Sequence, residues 1–584
     1  MTDPAWKLEA GNEWGARDPF GELKPADRSE HSLPVCDESG VTLRAARNGY
    51  ASFRLWVHGR GDYRLSVEMD RPLEADLSRA WYHKLAEDGE YCADALVPVD
   101  PGARQHLPNA DNAVPGQTCQ EFWADVFVPR DAPVGRAAGR VILNGDTALP
   151  IRVDVLDAVI PDDDAVTMNG HSYGCRWIYE QYPSVFDGIT EPDERWSRTI
   201  ELLHHLYRLN REHRSLLTNR GVGHANTFDP IYGPTLAGRG RNKHIDDWTW
   251  YDRHYAPLLD GSVFAAASPA APRPRRPATP IWCVATPMSA EWPADYLYWA
   301  QPGYEVEFIN CVRQFDRHFR EKGWTTTHPY FFFVHKKRYR WMEWDGDEPK
   351  HAKDHAYFVE MGRLLRKAIG ETPVPWLYRI DASWQMKNEF REFAGMIDWW
   401  VCGGFIKWYP DEVREVAERG EVLWQYSGPP PITAASSALL EHVWRAWGRG
   451  TRGHCYWNSF SSGPDPWFAS TGNATQLYYP GDRFGIAGPV PSARLKLQRN
   501  AVQDVNLLAA KPGGVKERLI ETAPVRLWEQ PPRAVRELPP EEWDSSNLTA
   551  SQDDEMQKTA QVDPLWWADV RNAALEEVPV YRPR

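Results

Sequence analysis

The sequence predicts a multidomain chain, an N-terminal antiparallel β-sandwich followed by a (β/α)8 TIM-like barrel. Three observations carry that prediction. From residue 40 to 157, short runs alternate apolar and polar side chains and are broken by turn-forming residues. Beyond residue 166, short apolar runs alternate with helix-length amphipathic segments, the rhythm of βα units around a parallel sheet. Between the two rhythms lies "IPDDDA", residues 160–165, which reads as a linker. The implied domains are 1–160, the sandwich; 161–510, the barrel; and 511–584, a Pro-rich, acidic tail with no sustained period, packed on the barrel or partly disordered.

In the first domain the runs "YASFRLWVHG", "DYRLSVEMD", "CQEFWADVFVP" and "GRVILNGDTALPIRVDVLD" have period two. Asn144-Gly145 in the last of them marks a two-residue hairpin, because that turn needs positive φ at both positions. In the second domain eight strands are expected, at "VTMNGHSY", "HRSLLTNRG", "PIWCVATP", "PYFFFVH", "VPWLYRI", "IDWWVCGG", "VLWQYSG" and "GHCYWNS". The fourth run is apolar on both faces, as a strand under helices and inside a barrel should be. Between the fourth and fifth, residues 351–369 read as a helix with Phe358, Met361, Leu364, Leu365 and Ala368 on one face and Gly370 as its stop. Within the sixth run, one of Trp399 and Trp400 should face the barrel interior and the other the helices.

Composition excludes some functions. With 67 basic against 81 acidic residues the net charge is −14, the wrong sign for a protein that works on a phosphate backbone. The eight cysteines are scattered singly without zinc spacing, so they are expected to be reduced and mostly buried, and no metal or cofactor is implied. No run of about 18 apolar residues occurs, and the opening residues lack a basic and apolar leader. A cytoplasmic location is therefore expected, or an extracytoplasmic one if a signal peptide has been removed. The 29 tryptophans offer flat faces suited to sugar rings, although large indoles also fill cores.

Active sites of such barrels lie at the C-terminal ends of the strands. Just past those ends stand His171 and Tyr173, Asn219, His335, Asp347 and Glu348, Asp381 and Trp384, Tyr426, and Trp457 with Asn458. Asp347-Glu348 sits in "WDGDEPKHAKDH", after the fourth strand and before the clearest helix, with Pro349 biasing Glu348 toward extended backbone. Adjacent carboxylates suit one kind of glycoside cleavage. If the sugar carries a 2-acetamido group, its carbonyl oxygen attacks the anomeric carbon, and the protein supplies only an acid and a partner for the amide N–H. Glu348 would be the acid, its pKa raised by burial and by the neighbouring charge; Asp347 would stay ionised and grip the acetamido group. A solvated acidic turn and a cation site are the other readings of the same dipeptide.

Other motifs carry less. His204, His205 and His213 lack metal-ligand spacing and read as core or surface residues. "GRGRNKH", 238–244, reads as a flexible basic loop, and Arg494, Arg499 and Asp504 as members of structural ion pairs.

Several blocks together look familiar. "RNGYASFRLWV" and "PRDAPVGRAAGRVILNG" in the sandwich, and "YDRHYAPLLDGSVF", "DEP", "HVWRAWGRGTRGHCYWNSF" followed by "DPW", "YYPGD" and "GPVPSARLKLQRNAVQDVNLL" in the barrel, resemble successive blocks of glycoside hydrolase family 123 and its related uncharacterised catalytic domains. The resemblance spans roughly residues 40–510. It implies a sandwich packed on a (β/α)8-type barrel and retaining, substrate-assisted β-N-acetylgalactosaminidase chemistry. Glu348 then falls at the general acid/base and Asp347 at acetamido orientation, while Trp457, Asn458 and Asp465 fall in the sugar-facing block of the eighth strand. The chain departs from the pattern in the length of "KKRYRWMEWDG", which adds Glu343 and Asp345 as competing acids. The substrate-binding set expected from the ring is Trp457, Asn458, Asp381, Tyr426, His171, Tyr173 and Trp384, and the expected partner is a carbohydrate, with neither nucleic acid nor membrane. Two further functions fit the sequence: a glycosidase on a sugar without the acetamido group, pairing Glu348 with Asp381, Glu343 or Asp345, and a noncatalytic carbohydrate-binding protein.

Overall fold

The strand Cys119–Val128 is buried at every residue, because both of its faces are covered. Phe122, Ala124, Val126 and Val128 enter the sandwich core, while Glu121, Trp123 and Asp125, pointing the other way, lie under the barrel. The structure is a computed structural model that describes residues 6–27, 35–37, 40–173, 175–220, 233–265, 279–284, 303–331, 352–382, 389–460, 463, 465–471, 474–511, 513–530, 562 and 564–576.

Two sheets make the sandwich. The five-stranded sheet runs Lys7–Asn12, Gly49–His58, Cys119–Val128, Glu74–Lys84, Tyr91–Pro98, all antiparallel. The six-stranded sheet contains one exception to the expected antiparallel order, since Gly40–Arg47 pairs parallel with Asp146–Val159. The Asn144-Gly145 hairpin is present, with φ of 55° and 93° at the two residues.

All eight expected barrel strands form one parallel sheet: Thr167–Tyr173, Ser215–Arg220, Ile281–Val284, His328–Phe331, Leu377–Ala382, Trp399–Cys402, Val422–Ser427 and Gly453–Tyr456. Their hydrogen-bonded order, second, first, eighth, seventh, down to third, leaves one junction between the second and third without a ladder among the described residues. Period two sorts the side chains. Trp399, Val401, Trp424, Tyr330 and Cys455 cluster in the interior, while Trp400, Cys402, Tyr378 and Ile380 join the layer between sheet and helices. The interior is tight enough that Gly453 has no substitute, as a Cβ there would lie 2.5 Å from the Trp424 ring. Helix Ala352–Ile369 buries the predicted face, and Gly370 closes it in the left-handed region with its N–H on Arg366.

Two expectations are corrected. Residues 160–165 are not a loose linker: Ile160 is buried, Asn48 donates to its carbonyl at 2.8 Å, and Asp164 accepts from Arg214 and Asn506. "GRGRNKH" is the turn of a small hairpin, Thr235–Ala237 with His244–Asp247, made possible by Gly238, where a Cβ would meet the Asn242 carbonyl oxygen at 2.1 Å. Part of the tail takes the first of its two expected forms, packed on the barrel. Helix Pro564–Leu575 packs on helix Ala493–Ala509, with Trp567 buried and Arg571 bridging Asp504 and Glu13. Among the described residues most tryptophans prove to be core residues, as does His213, while His204 is half-buried with its Nε2 on the His254 carbonyl. None of the eight cysteines is in a disulfide, and only Cys36 and Cys283 are less than buried.

The ion pairs expected of Arg494, Arg499 and Asp504 exist, but each reaches away from the helix. Arg494 pairs with Asp94, Arg499 with Asp125 and Asp504 with Arg571, so helix Ala493–Ala509, the eighth of the barrel, is bolted to the sandwich by buried charge.

Candidate active site

The interior face of the fifth strand carries Leu377, Arg379 and Asp381 in succession, rising from the barrel floor to its mouth. Arg379 is fully buried and grips Asp381 with two parallel hydrogen bonds, Nε to Oδ1 at 2.7 Å and Nη2 to Oδ2 at 3.0 Å. Its guanidinium lies 4.5 Å from the Trp399 ring and donates to the Tyr330 hydroxyl at 3.3 Å. Asp381 keeps 12% of its side-chain surface exposed, so a carboxylate held rigidly from below faces the mouth.

Across the barrel, His171 and Cys455 meet at 3.0 Å between Nε2 and Sγ, both buried. Asn169 on the same face of the first strand bonds the Thr218 hydroxyl at 3.2 Å. Tyr426 borders the interior aromatic cluster in the seventh strand. Trp457, the residue after the eighth strand, is 45% exposed, and its backbone N–H is anchored to the Ser427 carbonyl at 3.1 Å. An exposed indole on an anchored backbone is a ready platform for a ring.

The structure thus brings His171, Asp381, Tyr426 and Trp457 together at one end of the barrel. Tyr173 ends the first strand in register with Arg220. Asn458 is half-buried and caps its own turn, Oδ1 accepting from Phe460 N at 3.2 Å, and Asp465 likewise accepts from Trp467 N and Phe468 N. Asn219 does not join the ring. It points outward with Ser172, donating to that hydroxyl at 2.6 Å, because the register of the second strand turns Leu216 and Thr218 inward instead. Asp347, Glu348 and Trp384, with His335, Glu343 and Asp345, lie outside the described residues.

Two residues escaped the sequence reading. Arg379 could have been found from its spacing, two before Asp381 on one strand face. His355, seven residues after Glu348, sits between Glu389 at 3.1 Å and Glu392 at 2.6 Å, linking the helix after the fourth strand to the one after the fifth. Burial pushes its pKa down, but the two glutamates outweigh this and raise it. Nothing in its spacing announced that contact. Among the described residues no group of three or more His, Cys, Asp or Glu could hold a metal ion, and no helix is long and apolar enough to cross a membrane.

No protein-family model matches the sequence, and no curated protein matches it either. Solved structures do. A family 123 glycoside hydrolase from Clostridium perfringens, studied for glycolipid glycan hydrolysis, aligns over 98% of this chain and 99% of its own with a TM-score of 0.62 at 12% identity. The CBM22-1–GH10 modules of Clostridium thermocellum endo-1,4-β-D-xylanase 10B align over 78% of this chain and 95% of theirs, with a TM-score of 0.30 at 10% identity. A β-glucuronidase from Bacteroides uniformis aligns over 75% and 48%, with a TM-score of 0.26 at 10% identity. The first of these likenesses spans sandwich and barrel together and establishes a shared fold, the architecture that the resemblance in the sequence implied.

Proposed function

We propose that this chain is a glycoside hydrolase that cleaves a terminal β-N-acetylhexosamine, N-acetylgalactosamine-like, with retention and with the substrate's own acetamido group as nucleophile. The observation that carries the reading is the chain position of Asp347-Glu348, between the fourth strand, His328–Phe331, and helix Ala352–Ile369, in a fold shared end to end with a family 123 glycoside hydrolase.

In this reading Glu348 protonates the leaving glycosidic oxygen while the acetamido carbonyl oxygen attacks the anomeric carbon, closing an oxazolinium ring. Asp347 accepts the amide N–H and stabilises its growing positive charge. Water then opens the ring at the anomeric carbon, losing its proton to Glu348, so two inversions give net retention. The residues at the mouth divide the binding work: Trp457 offers an apolar face, and Asp381, held in place by Arg379, can accept sugar hydroxyls. With both oxygens held by Arg379, Asp381 is blunted as a nucleophile toward an anomeric carbon, which counts against pairing it with Glu348 on a sugar lacking the acetamido group.

The test is p-nitrophenol release from β-N-acetylgalactosaminide, β-N-acetylglucosaminide and their 2-hydroxy counterparts. Wild type should turn over only the acetamido substrates, Glu348→Gln should lower kcat at least ~10³-fold, and Asp347→Asn about 10²-fold or more. Turnover of 2-hydroxy sugars would overturn substrate assistance, and no turnover of any glycoside would overturn the enzyme reading.

A further inference from the structure

Two of the barrel's βα connections, residues 428–437 after the seventh strand and 457–492 after the eighth, bind the sandwich. Their hub is Arg494, in the first turn of the eighth helix, and all five of its N–H groups are used. Nε and Nη2 hold the two oxygens of Asp94, on sandwich strand Tyr91–Pro98, at 3.1 and 2.7 Å. Nη1 donates to the carbonyls of Pro430 at 2.7 Å and Ala474 at 3.3 Å, and Nη2 also to that of Gln476. Asp94 further accepts from Tyr479 at 2.7 Å. One buried guanidinium therefore fixes both connections against one sandwich carboxylate.

Other contacts repeat the arrangement. Asp27 of the sandwich accepts from Ser436 N at 2.8 Å and from its hydroxyl at 2.7 Å, and Lys24 donates to the Ala434 carbonyl. Ala86 N donates to Ser470 O at 3.1 Å, Trp81 Nε1 to Trp467 O at 3.1 Å, and Ile432 is buried between Leu85 and Cys92. These same connections begin beside Tyr426 and at Trp457.

The sandwich itself offers little to a sugar. Its five-stranded sheet is covered on both faces, and the outer face of the six-stranded sheet carries cross-strand ion pairs, Arg140 with Glu68 and Arg136 with Asp154. Among the described residues its exposed large apolar side chains are Phe20 and Val134, which make no coplanar platform of rings.

We infer that the sandwich is a positioning arm of the active site and not an autonomous sugar-binding module, with Arg494 and Asp94 as the positioning residues for the seventh and eighth βα connections. The inference rests on the glycosidase reading for its kinetic arm alone. Arg494→Lys in the full chain keeps the charge but cannot reach three carbonyls and two carboxylate oxygens at once. Lys496→Met is the control: Lys496 is bonded to Asp125 in the same seam but to neither connection, and Arg499 still pairs Asp125 without it. Hydrogen exchange followed by mass spectrometry should show faster exchange in 428–437 and 465–480 for Arg494→Lys and not for Lys496→Met. The kcat/KM should fall about tenfold or more in the first and stay within about twofold in the second. Equal exchange in the two variants would overturn the inference. Should Arg494→Lys not fold, Ser436→Ala, which removes only the hydroxyl bond to Asp27, should speed exchange in 428–437 alone, and unchanged exchange there would overturn it equally. If wild type cleaves no glycoside, the proposed function falls while the exchange comparison still decides this inference.

Discussion

The sandwich–barrel seam and the barrel mouth both hold carboxylates beside arginines, yet they are built to different ends. In the seam Asp125 meets Arg499, Lys496, Ser52 and Trp123, and its side chain is 2% exposed. At the mouth Asp381 meets Arg379 from below and keeps 12% of its side-chain surface exposed. Burial pushes the Asp125 carboxyl up, but Arg499 and Lys496 overwhelm that and hold it well below the usual carboxylate range. Closing every valence of a buried charge gives a fixed joint; closing only its lower side gives a rigid group that can still accept a ligand. The saturated carboxylates join the two domains, and the partly exposed one stands at the end of the barrel where the proposed chemistry would lie.

The comparison breaks most sharply at Asp125. Asp125→Ala strands two buried cations and should cost about 3–5 kcal/mol, read as a lower urea midpoint with little change in slope; a cost under about 1 kcal/mol would remove the distinction drawn here. Acid should act on the seam next. Burial lowers the His83 pKa to about 4, so the unfolded chain binds a proton that the folded chain refuses. Its contribution is full above the unfolded value near 6.5 and is lost as pH falls from there to about 4, about 3 kcal/mol in all. The depressed carboxylates of Asp94 and Asp125 give way only below that, as pH drops under the ordinary carboxylate range. Thermal melts should therefore decline in two acid stages, with His83→Gln removing only its share of the first, since burial also depresses His205, His254, His442 and His454.

At the mouth the signs reverse, with function moving more than stability. Arg379→Lys loses the two-pronged grip on Asp381 and should lower kcat/KM about 10²-fold. Trp457→Ala comes last: the stability read from denaturant unfolding should hold within about 0.5 kcal/mol of wild type while KM rises several-fold. A stability loss larger than the KM effect in Trp457→Ala would place that indole in the architecture after all.

Much of the barrel was legible because its signals are local. Each strand is a short apolar run with turn residues around it, and the split between Trp399 and Trp400 follows from period two alone. Asn219 shows where that logic stops, since the face a residue takes depends on register with neighbouring strands, and Ser172 claimed its amide on the outer side. Arg379 was readable from its spacing to Asp381; His355 was not, because its partners Glu389 and Glu392 belong to another connection. The seam was the least legible part. Arg494 and Asp94 are 400 residues apart in sequence, and no local pattern states such a pairing.

That separation in sequence also has a schedule. Asp125 leaves the ribosome 371 residues before Lys496, a wait of about 20 to 75 s at ordinary synthesis rates. Through that interval the face carrying Asp94 and Asp125, which also holds Ser52 and the Arg54–Glu121 pair, stands without the barrel's cations as a polar surface that gives neighbouring nascent chains little to adhere to. The buried charges that lock the finished protein together thus serve first, while the barrel is still being made, as its solubilising coat.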